Sequence, residues 1–443
     1  MKLVLAIFFL FNSTSCLATN YYVSSTIGDQ KNNGLSPSKT KKLIQQAADL
    51  TRPGDTVFVM NGDYTNSCPT CNVVNIPTSG TIEKYIVYTN LKGHAPRITF
   101  NGWAGFSIRN GISYIKISGF EVIGNNASVT LAQALQQPQS CNNTSGTYEP
   151  KFNGNGIVID GREKNYPHHI TISNNIVHDC GGGGISAIHA DYITVEDNLV
   201  YNTSWYSVFG TSGISFYQFM AHNEAKGYHN YIRRNKCFNN KSLVPWFKTC
   251  NIEDGNGIII DDFMNKQNGS TNGEYTSRTL VENNVCWNNG GTGIHAFQSG
   301  YVDIFNNTAY RNSRAKKLNA GEILAGSSNN IRMINNILVT DAKNRINSNY
   351  ENKNITYENN LHYNISTPRK MLVSISSASC IRGRDPSFRD PKLTLDADFT
   401  LRSNSPAIEK ANIKWFSATD YLGKLRAMAS AADIGAFEFY NRR

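Results

Sequence analysis

The sequence predicts an all-β chain wound as a right-handed parallel β-helix, a solenoid, with an N-terminal capping helix. Three observations predict it. A short phrase, apolar-x-apolar-x-Asn-Asn, returns about every two dozen residues. A second phrase, Gly-Ile, sits between its copies in fixed register. The composition is that of strands and turns: only 17% of the residues are charged, 40% are hydrophobic, and Gly, Asn, Ser and Tyr abound.

The chain of 443 residues opens as a signal peptide spanning 1–18. Met1-Lys2 is a basic start, Leu3 to Phe11 is apolar, and Cys16-Leu17-Ala18 offers a small-x-small cleavage site. That run is too short to span a bilayer, and no second one follows. The chain is thus expected to be secreted. Beyond Cys16 eight cysteines remain, an even number that permits disulfides outside the cytosol. Cys68-Pro69-Thr70-Cys71 is expected to close a local loop, and Cys237 and Cys286 to be direct neighbours in the stack.

The capping helix is expected over Lys41 to Leu50, an amphipathic stretch before the strand Thr56 to Met60. The solenoid follows over 19–365. Its Asn-Asn phrase ends at Asn175, Asn198, Asn284, Asn307, Asn336 and Asn360, with a shortened copy at Asn235. Its Gly-Ile phrase stands at Ile157, Ile185, Ile214, Ile258 and Ile294, with Glu322-Ile323 as a variant. Each phrase alternates apolar and polar residues, the period of a half-buried strand. One coil cannot bury its own apolar face, but stacked coils about 4.8 Å apart can. Asn suits the left-handed turn between strands, and stacked Asn side chains can hydrogen-bond as a ladder. Residues 366–443 lose the repeat and are expected to close the other end.

Several phrases bear a resemblance. Tyr21-Tyr22-Val23-Ser24, Pro53-Gly54-Asp55-Thr56-Val57 and Gly62-Asp63-Tyr64 resemble the start of exported bacterial right-handed β-helix proteins. Asp385-Pro386-Ser387-Phe388, Ser405-Pro406-Ala407-Ile408 and Asp433 to Glu438 resemble their C-terminal phrases. This group is similar to polysaccharide lyases of the family-nine pectate lyase type. The resemblance implies the fold, a polysaccharide substrate and calcium as cofactor.

Register indicates where chemistry can sit. With the phrase isoleucines inward, alternation turns Asp160, Ser186, Ser215, Tyr217, Asp261, His295, Phe297 and Glu322 outward. Asp160 lies three coils from Asp261, about 14 Å away, too far to share a metal or proton. Tyr217, Asp261, His295 and Glu322 occupy four consecutive coils. The insertions, including Lys241 to Gly255, cluster around the coil of Asp261. The expected catalytic residues are Asp261, His295, Lys266 and Glu322, with Lys164 a further basic candidate. The expected substrate contacts are Tyr217, Ser215, Arg311 and Phe297. Asp261 and Asp262 are the expected calcium ligands, and Asp254 joins them only if the chain folds back.

A formal charge of +10 favours an anionic partner. The basic residues form no aromatic-interleaved stripe, which argues against nucleic acid. The expected function is lyase action on a uronate-containing polysaccharide by β-elimination, the protein acting as a monomer. The alternatives are a polygalacturonase-like hydrolase using Asp261, Glu322 and His295, and a non-catalytic sugar-binding solenoid.

Overall fold

The computed structural model describes residues 18–163, 165–316, 318–415, 417–426 and 432–440. The leader, apart from Ala18, and Lys164 lie outside the described residues. Three long parallel sheets run the length of a right-handed β-helix, two of eleven strands and one of ten. Each coil contributes one strand to each sheet and pairs with the coils before and after it. The ten-stranded sheet carries the Gly-Ile phrases and is called the groove sheet below. The first sheet precedes the Asn-Asn turn and the third sheet follows it.

Alternation places side chains as the repeat requires. Ile157, Ile185, Ile214, Ile258, Ile294 and Ile323 form one in-register column, and all six are buried in the central core. Burying such residues is worth roughly 1.5–3 kcal/mol each, and only the stack makes that burial available.

The Asn-Asn turn divides two duties between its two residues. The first takes the left-handed conformation: Asn174 at φ 55°, Asn283 at 54°, Asn306 at 52° and Asn335 at 60°. The second builds the ladder. The Asn198 Oδ1 accepts from the Asn175 backbone N–H at 3.0 Å and from its Nδ2 at 3.1 Å. The same pattern climbs through Asn235, Asn284, Asn307, Asn336 and Asn360.

A second ladder runs through the turn between the third sheet and the groove sheet. Thr203 donates to Asn240, Asn240 to Asn289, and Asn289 to Asn312. Its last acceptor is Glu322, whose carboxyl takes the Asn312 backbone N–H at 3.1 Å and Nδ2 at 2.6 Å.

The helix Ile44–Ala48 buries Ile44, Ala47 and Ala48 against the first coil. Its Gln45 side chain donates to the Asn75 carbonyl and accepts from the Asn75 N–H. It thereby stands in for a neighbouring strand at the open end of the groove sheet. At the other end the stack continues through Leu372–Val373 and Ile381–Arg382. From Phe388 the chain turns aside and lies along the flank of the third sheet. Phe388, Phe399, Ile434 and Phe437 pack there on Trp287, Tyr310 and Ile337, and the buried Arg426 binds the Asn283 Oδ1 at 2.9 Å. The apolar outer face of the third sheet, with Phe238 and Trp287 stacked at 4.6 Å, requires that cover.

Among the described residues two disulfides are present, Cys68–Cys71 and Cys141–Cys250. Cys237 and Cys286 are direct register neighbours, as the repeat predicts, and are both free thiols. No helix among the described residues is long and apolar enough to cross a membrane.

Candidate functional site

The strand Ile258–Asp261 forms the floor of the site. Ile258 and Ile260 point into the core, and Asp261 points out, half-buried. Tyr217 and Phe297 flank it in register on the coils before and after. Ser215 and His295 stand in the neighbouring outward column, on either side of Ile259. Tyr217, Asp261, His295, Phe297 and Ser215 therefore share one face, as the alternation predicts.

Two insertions rise from this floor. One, 241–255, enters the strand, and the other, 262–277, leaves it. Between them they desolvate the carboxyls. Burial is the largest cause that pushes the Asp261 carboxyl well above its ordinary value, and the charge of Asp254 is the next. Its one opposing bond comes from Gln267 Nε2 at 2.8 Å. Asp254 itself is raised to about 6, by burial first and Glu253 second. Its Oδ1 accepts from Asn256 Nδ2 at 3.0 Å. The charge of Asp254 adds to the rise of Asp261, because two neighbouring carboxylates oppose each other's ionisation. Asp254 stacks over Gly210, its register equivalent on the preceding coil. Asp254 sits at φ 59°, and a Cβ added at Gly210 would come within 2.3 Å of its Oδ2.

The Tyr217 hydroxyl accepts from Asn268 Nδ2 at 2.5 Å. Its pKa is pushed up by burial, then by Asp261 and Asp262, and is opposed by Arg162. Both ring nitrogens of His295 are buried without a hydrogen-bond partner. Burial lowers its pKa to about 4, so the imidazole is neutral at physiological pH.

The structure corrects three expected roles, those of Glu322, Asp262 and Arg311. Glu322 does not face the groove: it is fully buried and ends the second asparagine ladder. The alternation fails because Glu322 precedes its strand and lies in the turn. Asp262 is not a free metal ligand. Its Oδ1 accepts from the Lys266 N–H at 2.7 Å, and its Oδ2 from the Gln267 N–H at 2.7 Å and Gln218 Nε2 at 2.8 Å. Arg311 follows a strand of the third sheet, and its guanidinium is paired with Asp341 at 2.6 Å. Lys266 lies on the exposed part of the 262–277 insertion, with its backbone N–H on Asp262. Asp160, outward as expected, is only 4% exposed because Arg162 covers it at 2.7 Å and Arg109 approaches at 3.7 Å.

The pair Asp261 and Asp262 does not fit calcium, which takes six to eight oxygens. Asp262 has both oxygens engaged, which leaves one carboxyl. Among the described residues no group of three or more His, Cys, Asp or Glu converges on a metal position.

Sequence reasoning left Gln267 and Asn268 unnamed. Both lie in the lengthened interval after Ile258, which was the available signal. It also missed a cavity of about 500 Å³ among the neighbouring turns, lined by Asn165, Tyr166, His168, Asp191 and His222. His168 is held neutral there, its pKa lowered to about 4 by burial first and by His222 and His169 next.

No protein-family model matches this chain, and no curated protein does. Among solved structures, the pectate lyase Pel9A matches at TM-score 0.52 and 16% identity, over 96% of this chain and 98% of its own. XylC, solved with xylose, matches at 0.46 and 11% over 96% and 99%. An alginate lyase from Paenibacillus sp. str. FPU-7 matches at 0.41 and 14% over 75% and 95%. The chain is thus a right-handed parallel β-helix protein, with the fold of pectate lyase Pel9A.

Proposed function

We propose that this chain is a secreted enzyme that hydrolyses glycosidic bonds of a polysaccharide, with Asp261 as proton donor and Asp254 as base. The single observation that carries this reading is a pair of carboxyls in one coil, Asp261 at the end of the groove strand Ile258–Asp261 and Asp254 before its start, both raised by burial, with the charge of Asp254 raising Asp261 further. Carboxyls pushed to different proton affinities are the means by which a site holds an acid and a base together. Asp261 gives its proton to the glycosidic oxygen as the C–O bond breaks. Asp254 takes a proton from the attacking water, whose oxygen bonds to the anomeric carbon. The net addition is one water, and the catalyst recovers its protonation when the two carboxyls exchange the proton with solvent. Two disulfides fit an oxidising compartment. The fold shared with Pel9A is compatible with a polysaccharide substrate and does not choose the reaction.

A second reading is β-elimination on a uronate-containing polymer. It rests on Tyr217, whose phenol lies within the electrostatic reach of both Asp261 and Arg162. Protonated Asp261 would then bind the uronate carboxylate, and Tyr217 would take the C5 proton once ionised. The experiment is digestion of polygalacturonate, alginate and arabinoxylan, with reducing ends and ultraviolet absorbance recorded together. Reducing ends without new absorbance support hydrolysis. Absorbance rising in step with reducing ends would overturn it in favour of elimination. Activity is expected to survive a chelator, because the Asp262 oxygens are committed to the loop.

A further inference from the structure

The groove is crossed above its catalytic floor. Lys248 belongs to the insertion that enters the strand Ile258–Asp261, and Asn268 to the insertion that leaves it. The Lys248 ammonium donates to the Asn268 side-chain oxygen. The Asn268 Nδ2 in turn donates to the hydroxyl of Tyr217, the register neighbour of Asp261. A contact between the chain before a groove strand and the chain after it closes across the outer face of the groove sheet, here beside Tyr217. The bridge therefore joins both walls to the floor at Tyr217, on the coil next to that of Asp261.

Each abutment is anchored. Two residues beyond Lys248, Cys250 is disulfide-bonded to Cys141, which ties this wall to the segment 124–154 before the strand Asn155–Asp160. Tyr148, Phe209 and Phe247 pack together beneath it, with ring centroids 4.7 to 6.0 Å apart. The Lys248 ammonium also lies 5.5 Å from the Trp246 ring centre. On the other wall, Asp262 fixes the turn that carries Asn268 through the N–H groups of Lys266 and Gln267.

From this geometry we infer that the site takes polysaccharide chain ends rather than chain interiors. An internal stretch of polymer needs an uninterrupted groove on both sides of the scissile bond. A bridged groove offers a pocket, into which a terminal segment inserts and from which short products leave. This inference rests on the glycosidic-cleavage reading and holds for hydrolysis or elimination alike.

The test follows viscosity and reducing ends in parallel during digestion of polygalacturonate, alginate and arabinoxylan. Reducing ends should accumulate while viscosity falls slowly, with mono- or disaccharides present from the first time points. Rapid viscosity loss with a ladder of mid-length oligomers from the unaltered protein would overturn the inference and leave the reaction reading intact. The double variant Lys248→Ala, Asn268→Gly should raise viscosity loss per bond cleaved several-fold, and an unchanged ratio would count against the bridge. Binding supplies a readout that needs no cleavage. The Asp261→Asn protein, titrated with size-fractionated polymers of equal mass, should bind in proportion to the number of chain ends. Binding in proportion to mass would overturn the inference. Absence of cleavage on every polymer would instead count against the reaction itself.

Discussion

Asp261 and Asp262 are adjacent in sequence and opposite in environment. Asp261 occupies an outward position at the end of the groove strand and has a single tether, the Gln267 amide at 2.8 Å. Asp262 turns at φ 52° into the protein and collects three hydrogen bonds from Lys266, Gln267 and Gln218. One carboxyl is available to a substrate, and the other holds the loop that covers it.

This division predicts that the two asparagine variants fail differently. Asp261→Asn should keep its fold and lose about 10²-fold or more in turnover, the usual scale for a general acid. Asp262→Asn presents an amide to three donors, so about 1–3 kcal/mol of stability should be lost. Urea denaturation beside activity separates them. Equal loss of stability in both variants would place Asp261 in the scaffold rather than the chemistry.

The pH profile follows from the pair. Asp254 must be ionised to act as base, so activity should rise with pH through about 6. Asp261 must keep its proton to act as acid, so activity should fall again on the alkaline side, above its raised value. Gly210→Ala forces a methyl group against the Asp254 carboxylate and should move the acid limb while leaving the alkaline limb in place. A profile with no acid limb near 6 would remove Asp254 from the mechanism.

Much of this was legible in the sequence, and the remainder failed for local reasons. The stack was legible because the phrase isoleucines report both strand period and coil length. The outward face at Tyr217, Asp261 and His295 followed from the same count. Glu322 escaped it because alternation holds within strands and Glu322 lies one residue before its own. Asp254 was left undecided because it lies before the strand, at a left-handed residue with φ 59°, where the strand period no longer fixes which way a side chain points. The bridge from Lys248 to Asn268 joins two irregular insertions, and insertions advertise length but not shape.

The two residues of the Asn-Asn turn should also separate under mutation. Asn174→Gly keeps the left-handed φ of 55° open and should change stability by only a few tenths of a kcal/mol. Asn175→Ala leaves the buried Phe120 N–H and the Ile117 carbonyl without their partner. A cost of about 2–4 kcal/mol follows from two such orphaned groups. Calorimetric melting of the two variants decides it. Comparable destabilisation by both would mean that the turn, and not the ladder, sets the register.

Glu322 gives the scaffold its own pH dependence. Burial is the largest cause that raises it from 4.5 to about 8, opposed by the side-chain and backbone bonds from Asn312. The folded chain therefore holds this proton more tightly than the unfolded chain. The resulting stability is fully present below about 4.5 and is lost as pH climbs through about 8. Its scale is on the order of a few kcal/mol, because a tenfold difference in proton affinity between the two states corresponds to about 1.4 kcal/mol. Glu322→Gln keeps an acceptor for the Asn312 N–H and Nδ2 and has no proton to lose. Between pH 6 and 9 the unaltered protein should lose melting temperature relative to this variant, and the difference between the two curves isolates residue 322 from every other titrating group. Parallel curves would show that the carboxyl ionises inside the ladder without cost, and that Asn312 alone can stabilise its charge.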